Sequence, residues 1–265
     1  YIPDYTDLKQ IVIGIMLEFP LDISPFRRLI SLKEVSSTMD VAFKLAKLGE
    51  RDIVILADSQ WAGRGKDYRP WFSDETSLSF SIIIDGRSLK KRQLITLLAS
   101  VIVRKGIISH LAVPISLKWP NDIIFEGKKL GGVLGENFED FVIIGIGINV
   151  NTVDFPPYLS NAISLRRILG REIDRMELLF SIIREFSINF DLFINGSELL
   201  IKEWEKACCM LGERVKFRSY NNILEGIVTD VSNDGALVVV TNGQKKKIYS
   251  TDELILEENL CTFLR

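Results

Sequence analysis

The spacing of apolar residues changes repeatedly along this chain, and each change predicts an element. Leu78, Phe80, Ile82 and Ile84 alternate with Ser77, Ser79 and Ser81, the period of a strand. The unbroken run 53–57 reads as a buried strand. Helical spacing begins after Ser37 or Thr38 as N-cap. Asp40 lies in the first turn, Val41, Ala42, Leu45, Ala46 and Leu48 form the apolar face, and Gly49 makes the stop. The segment 91–111 predicts a long helix with Leu94, Leu97, Leu98, Val101 and Ile102 inward. Residues 7–18 are apolar enough for a short helix, which Pro20 and Pro25 then interrupt.

Strands dominate next, at 115–119, 122–125, 131–136 and 141–148. Glu126-Gly127 and Glu139-Asp140 supply turns. Helical periodicity returns over 164–207. Beyond Leu211 short strands are punctuated at Asn221-Asn222, Asn233-Asp234-Gly235 and Asn242-Gly243. The order predicts an α+β fold: a mixed, largely antiparallel sheet with helices packed on it, and a small C-terminal β-barrel docked against it. The expected divisions are an extension over 1–32, a main domain over 33–207 and the barrel over 208–265.

Composition narrows the chemistry. The chain has 265 residues, 33 Lys+Arg against 35 Asp+Glu, one His and three Cys. A net charge of −2 gives no general attraction to phosphate backbones. A single His110 excludes a multi-histidine zinc site within the chain, and it is expected to be buried on the long helix. Cys208, Cys209 and Cys261 suggest neither a disulfide framework nor a metal site, which favours a cytoplasmic location. The longest apolar run, 141–150, is well short of the roughly 18 residues that span a bilayer, so no membrane role is expected.

Three stretches carry candidate chemistry. In 60–71, Gly63 and Gly65 allow close backbone approach, while Arg64, Lys66 and Arg69 surround Asp67 between Trp61 and Trp71. Such a loop can expose N–H groups and cationic heads to a phosphate or carboxylate, or it can be an ordinary solvated loop. In 118–122, Pro120 breaks the ladder and leaves Asn121 and Asp122 at a strand junction. They could bind a hydroxyl, an amine or Mg²⁺, or form an Asx turn. Lys129 precedes Gly131-Gly132, a glycine pair that marks a close approach within a strand. In 145–151 two glycines and two asparagines end an apolar strand; without a third glycine or a following helix this is no dinucleotide fingerprint.

Together these stretches resemble the biotin–protein ligase family. Gly63 to Ser73 is similar to its Gly-Arg-Gly loop, Lys118 to Asp122 to its Lys-Trp-Pro-Asn-Asp, Lys129 to Glu136 to its Lys-x-x-Gly-x-Leu-x-Glu, and Gly145 to Asn151 to its Gly-x-Gly-x-Asn-x-Asn. The resemblance implies a class II synthetase-like catalytic domain and an SH3-like C-terminal barrel. It also implies ATP and Mg²⁺, biotin as substrate, and a biotin carboxyl carrier domain as partner. Biotin binding would fall on Ser37, Thr38, Met39, Gln60, Gly63, Arg64, Gly65, Lys66, Lys129, Gly131 and Gly132. Nucleotide binding would fall on Arg64, Arg69, Trp71, Asn121, Asp122, Lys129 and Asn149. Arg64, Lys129 and Asp122 would be catalytic.

Three positions depart from the family pattern: Met39 for Asn, Lys66 for a frequent Arg, and Tyr68 for Gly. About 32 residues precede the match, so the form without an N-terminal DNA-binding domain is expected. The resemblance also implies a possible homodimer through a sheet edge. Lipoate–protein ligases and octanoyl transferases share the fold and are one rival reading. A non-enzymatic regulator contacting nucleic acid is the other; six Lys/Arg against eight Asp/Glu over 211–258 argue against it, and no nucleic-acid partner is expected.

Overall fold

The computed structural model describes residues 15–18, 23–219, 222–250, 254–255 and 261. In chain order the main body contains β1 (Ile15–Glu18), β2 (Arg28–Val35), α1 (Thr38–Lys47), β3 (Ile53–Gln60), β4 (Ser77–Asp85), α2 (Ile95–Leu111), β5 (Ser116–Lys118), β6 (Asp122–Phe125), β7 (Lys128–Phe138) and β8 (Phe141–Asn149). Helices α3 (Leu165–Leu169), α4 (Arg175–Ile188), α5 (Phe190–Ile194) and α6 (Glu198–Ala207) follow. The small second sheet is built from β9 (Arg214–Ser219), β10 (Asn222–Val231), β11 (Leu237–Thr241), β12 (Gln244–Ile248) and β13 (Leu254–Ile255).

The eight main strands run in the order β1-β2-β3-β4-β8-β7-β6-β5. Among the described residues β2–β3 is the parallel pair and the others are antiparallel. Alternation sorts β4 by face. Leu78, Phe80, Ile82 and Ile84 join a core with Leu94, Leu98, Val101 and Ile102 of the 91–111 segment and with Leu178, Ile182 and Phe186 of α4. The unbroken run in β3 is buried on both faces: Val54 and Leu56 enter that core, while Ile53 and Ile55 pack with Val41, Ala42 and Ala46 of α1. By length and composition 92–111 would suffice to cross a membrane, but about two-thirds of it is buried inside the fold.

The second sheet, ordered β12-β11-β10-β9-β13, is antiparallel throughout. Its 232–235 turn docks on the main body. Gly235, at φ +87°, leaves space that Leu94 and Leu97 approach, and its carbonyl accepts the Trp119 indole N–H at 2.9 Å. A second tie joins β5 to the chain just after α6: the Cys209 N–H donates to the Leu117 carbonyl at 2.9 Å.

Several expectations change. Within 7–18 the described part, Ile15–Glu18, is a strand and not a helix. Pairing with β2 decides this, because a four-residue apolar piece has no helical periodicity of its own; residues 7–14 lie outside the described residues. The 1–32 extension is not separate, since β1 and most of β2 belong to the main sheet. Leu48 sits at the helix C-cap and is exposed. His110 is half-buried, its Nε2 3.9 Å from Glu177 Oε2. Cys209 and Cys261 form a disulfide across 52 residues of chain, with Cys208 a buried free thiol. The Asn221-Asn222 turn falls partly outside the described residues.

Candidate active site

The face of the main sheet opposite α2 carries small residues in register. Ser79 on β4 pairs with Gly147 on β8, which pairs with Gly132 on β7, then Asp122 on β6 and Lys118 on β5. The neighbouring row is Ser81, Gly145 and Leu134. With strands ~4.8 Å apart, the first row crosses roughly 19 Å of sheet. Missing side chains on that floor leave a cleft of about 380 Å³, roofed by the start of α1 and the 63–71 hairpin.

At one end Ser37 caps α1, its Oγ accepting the Met39 N–H at 3.2 Å. Gln60 Oε1 accepts the Thr38 backbone N–H at 2.8 Å and its hydroxyl at 3.2 Å; Ser81 donates to Thr38 Oγ1 at 2.8 Å. This buried relay fixes hydroxyl and amide groups against the cleft wall. Met39 lies over Gly145, where a Cβ would stand 2.7 Å from its sulfur, so that wall is partly apolar.

The roof is an ordered hairpin. Trp71 N–H donates to Gly63 O at 2.8 Å and Gly65 N–H to Arg69 O at 2.8 Å. Asp67 and Tyr68 at the tip hold φ of 56° and 57°, a region glycine enters freely and a side chain enters at about 1–2 kcal/mol. Trp71 lies flat on Gly147, three of its ring atoms 2.4–2.6 Å from where a Cβ would be. Arg64 reaches Asp40 at 3.3 Å and Glu136 at 3.7 Å and stacks over Phe43 at 5.5 Å. Trp71 Nε1 and Arg64 Nη1 are buried nitrogens without a hydrogen-bond partner among the described residues. An unmade bond of this kind costs about 1–3 kcal/mol, so both favour a ligand carrying acceptors.

At the other end Lys129 Nζ meets Asp122 Oδ1 at 2.6 Å and lies 6.0 Å from the Trp71 ring. Its backbone is clamped: Lys129 N–H donates to Asn161 O at 2.8 Å, and Ile163 N–H donates to Lys129 O at 3.0 Å. Lys118 lines the same end half-buried. Burial lowers its pKa, nearby Lys129 lowers it further, and Asp122 partly opposes this.

Of the residues expected at the site, the cleft brings together Ser37, Thr38, Met39, Gln60, Arg64, Gly65, Lys66, Arg69, Trp71, Asn121, Asp122, Lys129 and Gly132. It does not include Gly63, Gly131 or Asn149. Gly63 is buried in the hairpin, where a Cβ would meet Trp71 O at 2.6 Å. Gly131 packs against β8, where a Cβ would meet Gly147 O at 2.6 Å. Asn149 is buried and donates to Lys129 O at 3.3 Å and Ile163 O at 3.1 Å, so it braces the lysine's backbone. Sequence reasoning missed Lys118, Ser79 and Leu254 as lining residues. The serine alternation in β4 was the available signal for Ser79.

Comparisons with known proteins find relatives of both parts of the chain. The model of the Biotin/lipoate A/B protein ligase family matches residues 31–151, and that of the Biotin protein ligase C terminal domain matches 210–252. The Bifunctional ligase/repressor BirA of Bacillus subtilis is 36% identical over 82% of this chain and 71% of its own length. The Biotin--[acetyl-CoA-carboxylase] ligase of Mycobacterium tuberculosis is 26% identical over 86% of this chain and 89% of its own. Among solved structures, a biotin protein ligase from Aquifex aeolicus in complex with biotin and ATP superposes with a TM-score of 0.77 at 33% identity, covering 86% of this chain and 97% of that one.

Proposed function

The chain belongs to the biotin–protein ligase family, and on that premise we propose that it activates biotin with ATP to biotinyl-5′-AMP and then passes biotin to a lysine of a carboxyl carrier domain. The observation that carries this reading is convergence: four motifs separated by up to 88 positions, from Gly63 to Asn151, meet in or brace one cleft.

The chemistry follows from the two ends of the row. The polar relay of Thr38, Gln60 and Ser81 suits a ureido-type head group, which both donates and accepts hydrogen bonds. The acid's carboxylate is ionised near pH 7 and needs no base before attacking the α-phosphorus. It needs relief of repulsion between anions and alignment. Lys129 supplies a fixed positive charge, held by Asp122 and by its clamped backbone. Lys66 and Arg69 add charge from the roof, and the hairpin shields the hydrolysable adenylate from water. In the second step the carrier amine attacks the mixed anhydride, AMP leaves, and Asp122 orients the amine or accepts its proton.

Mg²⁺ fits this donor set. Among the described residues no group of three or more His, Cys, Asp or Glu could hold an ion, but Asp122 and Asp67 both line the cleft. Magnesium typically takes one or two carboxylates and substrate phosphates, and when bound it supplies charge neutralisation. A homodimer through the β1 edge completes the proposal; the Cys209–Cys261 disulfide removes the cysteine-based ground for a cytoplasmic location. At the far edge β5 already bridges to Cys208, whereas among the described residues no strand pairs with the outer side of β1.

The test is direct. Purified protein given biotin, MgATP and a carrier domain should release pyrophosphate only with biotin present, and should biotinylate the carrier. Neither product would end this reading, and stronger binding of lipoate than of biotin would favour the related acyl ligases.

A further inference from the structure

The Cys209–Cys261 bond joins the two borders of the small sheet. Cys209 lies between α6, which ends at Ala207, and β9, which starts at Arg214; Cys261 follows β13, which ends at Ile255. The bond therefore closes a loop across 52 residues that contains every strand of that sheet. Its Cys209 end is fixed to the main body. Cys208 bridges to Leu117 of β5 in parallel, and the Cys209 N–H donates to the Leu117 carbonyl at 2.9 Å. The end of the chain is thus stapled beside the strand that leads into Trp119, at the outer edge of the main sheet.

What the staple holds reaches the cleft. Leu254 on β13 is buried and lines the cleft, the residue that the small sheet contributes to it among the described residues. The small sheet meets the main body on the β5 side, through Trp119 to Gly235 and Cys209 to Leu117, whereas the polar relay sits at β3 and β4. Leu254 therefore walls the end of the cleft assigned to the nucleotide, away from the head-group end. Its strand has little other hold: β13 is two residues long and pairs with β9 at Leu254–Phe217 and Ile255–Lys216. Terminal residues are poorly ordered unless something ties them down, and here the tie is the disulfide.

We propose that this disulfide is a redox switch on the nucleotide end of the cleft. Oxidised, it keeps Leu254 against the site; reduced, it releases β13 and weakens ATP binding, while the head-group end is untouched. This rests on the ligase reading above. In the reducing step a thiolate of an external dithiol attacks one sulfur, the Cys209–Cys261 bond breaks, and its electron pair leaves on the other sulfur, which takes up a proton. The second thiol of the reductant then attacks the mixed disulfide, so the reductant ends as a cyclic disulfide and both cysteines as thiols. Cys208 does not compete. Burial pushes its thiol up to about 12, so it holds too little thiolate to attack its neighbour's bond. Both bonded cysteines are buried, so exchange waits on local opening and sets a state that outlasts many turnovers.

The test compares the full chain oxidised, reduced with dithiothreitol and reoxidised, alongside Cys261→Ser and Cys208→Ser. Reduction should raise the KM for MgATP in biotin-dependent pyrophosphate release by about 5-fold or more, the lower end of ordinary coupling between sites. Biotin affinity, read by calorimetry, should not change, and reoxidation should restore the KM. Cys261→Ser should match the reduced protein and ignore dithiothreitol, whereas Cys208→Ser should respond as wild type does. The same KM for MgATP in both redox states would overturn the proposal. So would a response that persists in Cys261→Ser or vanishes in Cys208→Ser. Equal weakening of biotin and MgATP would also overturn it, because that marks general loosening of the fold. Wild-type failure to release pyrophosphate in either redox state would instead refute the ligase reading, so the two failures are distinct.

Discussion

Gly147→Ala adds one methyl group beneath the Trp71 ring, and its effect should reverse sign according to whether that ring is present. The new Cβ would stand 2.4 Å from Cε2 and 2.6 Å from Cζ2 and Nε1 of Trp71. Carbon contacts settle near 3.5–4.0 Å, so the rigid indole must withdraw by about 1 Å. Overpacking costs about 1–3 kcal/mol where neighbours cannot move. Trp71 is only half-buried and can lift off the floor, which places the stability loss near the lower end, about 1 kcal/mol. The site feels more, because displacing a positioning group by ~1 Å can lower turnover by about 10²-fold. In a Trp71→Ala background the obstacle is gone. Gly147 does not occupy the left-handed region, and alanine within a strand is favoured over glycine by about 0.5–1 kcal/mol. Urea unfolding of the four proteins gives the stability cycle, and biotin-dependent pyrophosphate release gives the turnover loss. If Gly147→Ala destabilises equally in both backgrounds, the glycine serves the strand and not the indole, and the account of the floor is wrong.

Lys129→Gln should lower adenylation by about 10²-fold; near-normal single-turnover adenylation would contradict its role. Trp119→Phe leaves the part-buried Gly235 carbonyl without its donor, and should cost about 1 kcal/mol with faster amide exchange in the 232–235 turn. Unchanged exchange there would deny the docking role. Opening the Cys209–Cys261 bond, which closes a loop across 52 residues, should destabilise the protein by up to about 4 kcal/mol in denaturant titrations. Burial pushes the Cys208 thiol up to about 12, so iodoacetamide at pH 8 should label none of the three cysteines in the native, unreduced protein, and labelling of Cys261 would disprove the bond. The Arg87 guanidinium, aided by Arg51, holds the Asp85 carboxyl well below the usual range. Its folded value is therefore the depressed one. Its contribution is present above about pH 4 and lost as pH falls further, and Asp85→Asn should flatten acid unfolding in that window.

What could be read from sequence was whatever local spacing encodes. The alternation through Ser77 to Ile84 specified β4, and the N-cap at Ser37 specified the start of α1. Long-range pairing was not readable. Ile15–Glu18 is a strand because β2 lies beside it, and Asn149 braces Lys129 because two particular carbonyls face its amide. Cys209 and Cys261 are joined only once β13 has returned to β9. The cleft itself is the strongest case. Each of its strands is legible alone, yet the hollow exists only because three alternations are in phase. Ser79 meets Gly147 and Gly147 meets Gly132, while Phe80 meets Ile146 and Ile146 meets Val133 on the opposite face. Slipping β8 by one residue against β4 would set Ile146 beside Ser79 on the cleft face and turn its glycines into the core. The cleft would fill with aliphatic side chains, and the core would lose apolar packing where Ile144, Ile146 and Ile148 now stand. Burial of those isoleucines therefore selects the register, and the register, more than any one motif, opens the site.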